Sequence, residues 1–208
     1  GNLLPGQGLG FSAALCLLVA KWVYAQQLTS KQAIIQLAHQ LEQRFHGKSS
    51  GIDIIGTLEH EPQYFETPQC YQVLSFTWKP KLYLELSEHI SRTIDAVSQV
   101  SALFERNECA ARLIDKNMQE AVLLALRALN GSHDSIQATT RLTAALNKGY
   151  TCFKDWHLIP NSLTVRIDHL KSKGALAVKP TGAGGNGALL SLWRNTPPSD
   201  LNLIPIEY

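Results

Sequence analysis

Pro5-Gly6-Gln7-Gly8-Leu9-Gly10-Phe11-Ser12-Ala13-Ala14 is the stretch on which the reading of this sequence turns. Three alternating glycines remove side-chain bulk, so successive backbone N–H groups can turn toward an anion. An apolar run rich in Ala and Leu, from Phe11 to Tyr24, follows at once and predicts a helix buried on most sides. A glycine turn leading into a helix N-terminus is a phosphate cradle, because the dipole of the helix adds to the N–H groups. Neither common phosphate motif fits. No Gly-Lys-Ser/Thr follows the loop, and Phe11 stands where a dinucleotide fingerprint needs its third glycine.

Two further stretches carry chemistry. Glu42, Arg44, the loop His46-Gly47-Lys48-Ser49-Ser50-Gly51 and Asp53 put two carboxylates eleven residues apart, one near a helix end and one after a glycine loop. Folded toward one cavity, one acid can hold Mg²⁺ while the other takes or orients a hydroxyl proton. Taken singly, the same residues read as a solvated glutamate, a turn aspartate and a hydrogen-bonded histidine. The third stretch, Lys179-Pro180-Thr181-Gly182-Ala183-Gly184-Gly185-Asn186-Gly187, places four glycines between two apolar strands. A hairpin needs no such number. Close approach of this backbone to another loop or to a phosphate is the better account.

Composition narrows the class. The chain has 208 residues, 45% hydrophobic and 17% charged, with a net charge of +2, and it contains no basic run. That is the profile of a globular protein and offers nothing to a nucleic-acid backbone. Cys16, Cys70, Cys109 and Cys152 lie tens of residues apart, match no zinc or redox spacing, and are expected as reduced, mostly buried thiols in the cytoplasm. The apolar run after Gly10 is interrupted by Lys21 and is too short to span a bilayer.

Along the chain, a second helix capped by Thr29 or Ser30 is expected to carry Ala33, Ile34, Leu37, Ala38 and Leu41 on one face, with Glu42 near its end. Residues 59 to 69, with Pro62 and Pro68, read as irregular and as a boundary. Strands follow at Cys70 to Trp78 and Lys81 to Leu86, then helices near Ser91 to Glu105, Ala110 to Leu129, Ser135 to Asn147 and Ser162 to Ser172. Gly174 to Lys179 and Ala188 to Trp193 flank the last glycine loop as strands.

In order and spacing, the three motifs resemble those of the GHMP kinase superfamily, and the middle one is most similar to that of mevalonate kinases; the likeness runs from Pro5 to Gly187. The resemblance implies an α+β, two-lobed fold with an incomplete N-terminal ATP-binding lobe (residues 1–60) and a C-terminal ferredoxin-like sheet with helices (61–208). It implies ATP and Mg²⁺ as cofactors and a hydroxyl acid such as mevalonate as substrate. Gly6, Gly8, Leu9, Gly10, Phe11, Ser12 and Ala13 would wrap the phosphates. Ser12 and Glu42 would hold the metal, and Asp53 would be the catalytic base or orienting carboxylate. His46, Gly47, Ser50, Gly51 and Thr93 would face the substrate, and Thr181, Gly182, Ala183, Gly184 and Gly185 would support the phosphate loop.

Four positions depart from the superfamily pattern: Phe11 for a serine, Lys48-Ser49 for an Asn-Pro or Thr-Pro pair, and Asn186 for a glycine. The superfamily's upstream Pro-Gly-Lys motif has no counterpart here, and the chain opens on Gly1. The expectation is a chain that starts part-way through a longer protein and is inactive by itself. The functional alternatives are a non-catalytic module of the same fold, or a kinase for phosphomevalonate, homoserine or a sugar. Expected partners are the small-molecule substrate and a second copy of the chain, with no nucleic acid and no membrane.

Overall fold

An apolar run rich in Ala and Leu and free of Gly and Pro follows Gly10, and in the computed structural model it forms α1 (Phe11–Ala25). The structure describes residues 8–30, 33–47, 49–59, 61–76, 78–87, 93–130 and 135–207. Contacts group Leu9–Ser75 as one unit and Phe76–Tyr208, together with Gly8, as a second.

In the first unit α1 packs on α2 (Ile34–His46) and α3 (Ile52–Leu58). Ala13, Cys16, Leu17 and Ala20 are spaced along one face of α1 and are buried with Ala38 and Ile54, while Ile34, Leu37, Leu41 and Leu58 close around them. This corrects the expectation of a helix buried on most sides. Two partner helices cover one face only, and Leu18 and Trp22 remain 65% and 60% exposed. Neither Thr29 nor Ser30 caps α2 by its side chain; Ala33 occupies the cap, and its N–H donates to the Ser30 carbonyl at 3.1 Å.

The stretch read as irregular is a hairpin, β1 (Gln63–Thr67) and β2 (Cys70–Val73), with Tyr64 opposite Gln72 and Phe65 opposite Tyr71. Its two prolines bound the strand rather than prevent it. Pro62 precedes β1 and Pro68 opens the turn, while Tyr64, Phe65 and Thr67 supply β-prone side chains. The strand expected from Cys70 to Trp78 ends at Val73.

The second unit is built on an antiparallel sheet in the order β4 (Ala177–Pro180), β5 (Leu189–Trp193), β3 (Lys81–Glu85), β6 (Ile204–Pro205). Helices α4 (Thr93–Arg106), α5 (Glu108–Asn130), α6 (Ser135–Asp155) and α7 (Asn161–Ser172) complete it. Alternation along β5 gives the sheet two apolar faces. Leu189 and Trp193 pack with Leu163, Ile167 and Leu170 of α7, whereas Leu192 packs with Ala128, Leu142 and Leu146 of α5 and α6. Helix α6 runs eight residues past its expected end because Gly149, Cys152 and Phe153 extend its buried face. Two of the four thiols, Cys16 and Cys152, are buried; Cys70 and Cys109 are exposed, against the expectation of mostly buried cysteines.

Lys179 threads between these layers. Its stem passes Gly149, its ammonium donates to the Pro180 carbonyl at 2.6 Å, and it stands 5.2 Å from the centroid of the Phe153 ring. Burial lowers its pKa from 10.5 to about 8.

Two predictions follow from these packings. Between pH 8 and 10.5 the unfolded chain keeps the Lys179 proton that the folded chain has released, so stability from this site rises with pH across that window. Denaturant unfolding of wild type and Lys179→Met should therefore diverge in favour of wild type from pH 8 to 10.5; a constant difference would refute the assignment. Gly51 has φ +80°, and a Cβ there would lie 2.7 Å from Cγ of Pro68. Gly51→Ala should cost the chain about 1–3 kcal/mol in the same measurement.

Candidate active site

Among the described residues, Glu42 is the most deeply placed charged side chain of the first unit, 1% exposed near the end of α2. A carboxylate in that position needs a donor. Ser49 supplies one: its hydroxyl donates to Oε2 of Glu42 at 2.5 Å. The same Ser49 oxygen accepts the N–H of Gly51 at 3.1 Å, and His39 Nε2 lies 2.9 Å from the Ser49 carbonyl, to which that ring nitrogen donates when protonated. The loop after α2 thus folds back over its own helix. Gly47, at φ +72°, ends α2 and makes the return possible.

The charge on Glu42 is felt on α1. Burial first, and then this carboxylate, pushes the Cys16 thiol above its ordinary pKa. Cys16 lies one helical turn beyond Ser12, which is half-buried as the second residue of α1. Asp53 is the second residue of α3 and is exposed; its carbonyl accepts the Thr57 hydroxyl at 2.7 Å. Ser50 is exposed, its hydroxyl accepting the Ile52 N–H at 3.3 Å, and Gly51 is buried. His46 is the last residue of α2. Helices α1, α2 and α3, which bear Ser12, Glu42 and Asp53, share one core.

Of the first glycine loop, Gly6 lies outside the described residues. Leu9 and Gly10 are half-buried, Phe11 is partly exposed and Ala13 is fully buried. Gly8 belongs to the second unit, where it meets the last glycine loop. A Cβ on Gly182 would stand 2.8 Å from the Gly8 Cα, and one on Gly8 would stand 3.1 Å from the Thr181 carbonyl oxygen. Two backbones meet there with no room for a side chain, which is the close approach that the glycine count of the loop predicts.

The rest of that loop is tied to its own unit. The Gly185 N–H donates to the Leu158 carbonyl at 2.9 Å, and the Thr181 hydroxyl donates to the Ala188 carbonyl at 3.1 Å. A side chain on Gly184 would crowd Phe153 and Leu158; Ala183 is half-buried. Asn186, the residue that departs from glycine, has a use here, since its Oδ1 accepts the Ser162 hydroxyl at 2.7 Å. Arg166 binds Glu85 at 2.8 Å and also donates to the carbonyls of Gly187 and Leu86, joining α7 to the end of β3 and the approach to β5. Thr93 is the first residue of α4 and is half-buried.

Among the described residues, no group of three or more His, Cys, Asp or Glu side chains could hold a metal ion. A magnesium ion carried by nucleotide phosphates does not need one, since one or two protein oxygens suffice beside phosphate and water. Glu42 fits that need. It is buried, and no ion pair among the described residues includes it. Ser49 and His39 in the first unit, and Arg166 in the second, are residues that the motifs did not single out. For Ser49 a signal existed, since it stands where the superfamily pattern has proline.

Residues 1–59 match the family model of the GHMP kinases N terminal domain. No curated protein matches the chain. Among solved structures, it is similar to L. major mevalonate kinase in complex with R-mevalonate, with 19% identity and a TM-score of 0.75 over 96% of this chain and 60% of that one. Mevalonate kinase from Methanococcus jannaschii gives 19% identity and a TM-score of 0.66 over 96% of this chain and 61% of that one. Galactokinase of Lactococcus lactis, complexed with galactose, gives 17% and 0.59 over 93% and 60%. The chain therefore spans about three-fifths of the length of the solved structures that it matches. Its first 59 residues thus match the model of a GHMP kinases N-terminal domain, and the fold of the chain is similar to that of solved mevalonate kinases.

Proposed function

We propose that this chain serves an ATP-dependent small-molecule kinase that moves the γ-phosphoryl group to the hydroxyl of a hydroxy acid, mevalonate before others, in isoprenoid precursor synthesis in the cytoplasm. What supports the reading is the common core of α1, α2 and α3, which bear Ser12, Glu42 and Asp53. Phosphoryl transfer asks a protein mainly for positioning and for neutralisation of charge, and this set of residue types offers both.

In this reading the loop from Gly6 to Ala13, at the start of α1, holds the phosphates through backbone N–H groups. Ser12 and Glu42 would hold Mg²⁺, which when bound neutralises charge on the β- and γ-phosphates. Asp53 accepts or orients the proton of the substrate hydroxyl. His46, Gly47, Ser50, Gly51 and Thr93 are assigned to the substrate. Thr181, Gly182, Ala183, Gly184 and Gly185 keep the phosphate loop in shape, a role supported by the fit of Gly182 against Gly8. The galactokinase neighbour favours a sugar hydroxyl as the second acceptor to try.

The test is a coupled assay of ADP release by the natural full-length protein with mevalonate, phosphomevalonate, homoserine and galactose, each with and without Mg²⁺. Turnover should be highest with mevalonate and require the cation. Asp53→Asn and Glu42→Gln should each lower kcat by about 10²- to 10⁴-fold, with far-UV circular dichroism unchanged. Wild-type turnover in either variant would end the assignment of that residue. Nucleotide binding without turnover on any acceptor would make the chain a binding module.

A further inference from the structure

We propose that Ser49 determines which divalent cation this site accepts, by holding one oxygen of Glu42 and leaving the carboxylate to ligate through the other. The inference rests on the reading of Glu42 as a metal ligand and goes beyond it to selectivity.

Ser49 is not a flexible surface hydroxyl. Its oxygen accepts the Gly51 N–H, so its own proton is directed to Glu42 Oε2, at 2.5 Å. Its backbone carbonyl lies 2.9 Å from His39 Nε2, on the same helix as Glu42, which fixes the residue from a second side. Glu42 is 1% exposed, so water cannot readily replace the hydroxyl if it is lost. A proline, the residue the superfamily pattern has at this position, could not donate this bond.

The consequence for a cation follows from coordination chemistry. Calcium takes about six to eight oxygens and commonly binds both oxygens of a carboxylate, whereas magnesium demands compact octahedral geometry and takes one. Binding both oxygens of Glu42 would cost the Ser49 bond. Binding one keeps it. Ser49 therefore favours Mg²⁺ and Mn²⁺ over Ca²⁺ by about the strength of a hydrogen bond to a charged group, on the order of tenfold in relative affinity.

The experiment measures Mn²⁺ bound to the natural full-length protein in the presence of ATP, by the relaxation enhancement of water protons, and displaces it with Mg²⁺ or Ca²⁺. In Ser49→Ala the ratio of calcium to magnesium affinity should rise about tenfold, and Ser49→Thr, which keeps the hydroxyl, should restore the wild-type ratio. Ser49→Cys, a weaker donor of nearly the same size, should fall between and carries the comparison if Ser49→Ala fails to fold. An unchanged ratio, or an equal weakening of both cations as expected of a merely structural loop residue, overturns the proposal. Glu42→Gln separates the two levels of inference. If it abolishes Mn²⁺ enhancement while Ser49→Ala leaves the ratio unchanged, selectivity by Ser49 falls and the metal reading stands. If Glu42→Gln leaves the enhancement intact, the metal reading falls and takes this proposal with it.

Discussion

A carboxylate withdrawn from water is the constraint around which the first unit is arranged. An unpaired buried charge costs several kcal/mol, and at Glu42 a neutral serine, not a cation, answers it among the described residues. That answer dictates local geometry. Helix α2 must end at Gly47, the chain must return within two residues to place Ser49, and Gly51 must take a left-handed conformation to start α3 while giving its N–H to the same hydroxyl. The helix carrying Asp53 is thus launched by the turn that satisfies Glu42. One serine oxygen holds both Glu42 and the Gly51 N–H, two residues before Asp53.

The second unit solves a different problem, that of holding a glycine loop still. Glycine is the costliest residue to order, and four of them stand within six positions. The loop is fixed by bonds at its margins: Thr181 to Ala188, Gly185 to Leu158, Asn186 to Ser162, and Gly187 to Arg166. Lys179 adds a buried ammonium against the Pro180 carbonyl, just before the loop. What is gained is a surface so bare at Gly182 that the backbone of Gly8 rests directly on it.

Much of this was legible in residue types. Periodicity located the helices of the second unit and the strands beside the last glycine loop, because both faces of β5 are apolar and α7 buries a regular stripe. The glycine count foretold a backbone contact before its partner was known. Other features were hidden for physical reasons. Prolines at 62 and 68 look like breakers when they flank a strand from outside. The apolar run in α1 says nothing about how many neighbours will cover it, so its exposed Leu18 and Trp22 could not be foreseen. The bond between Ser49 and Glu42 depends on a chain reversal, and no spacing rule connects a serine to an acid across one. Arg166 reaches residues 81 positions away in sequence, which pattern alone does not relate.

The distribution of thiols has a practical outcome. Each unit holds one sheltered cysteine and one accessible cysteine: Cys16 and Cys70 in the first, Cys152 and Cys109 in the second. The molecule therefore carries matched native reporters. Cys70 reacts more slowly than a free thiol, because its Sγ donates to Glu66 and that carboxylate raises its pKa; set against the exposed Cys109 and this slowed Cys70, the lag of Cys16 and Cys152 clocks the opening of each unit separately.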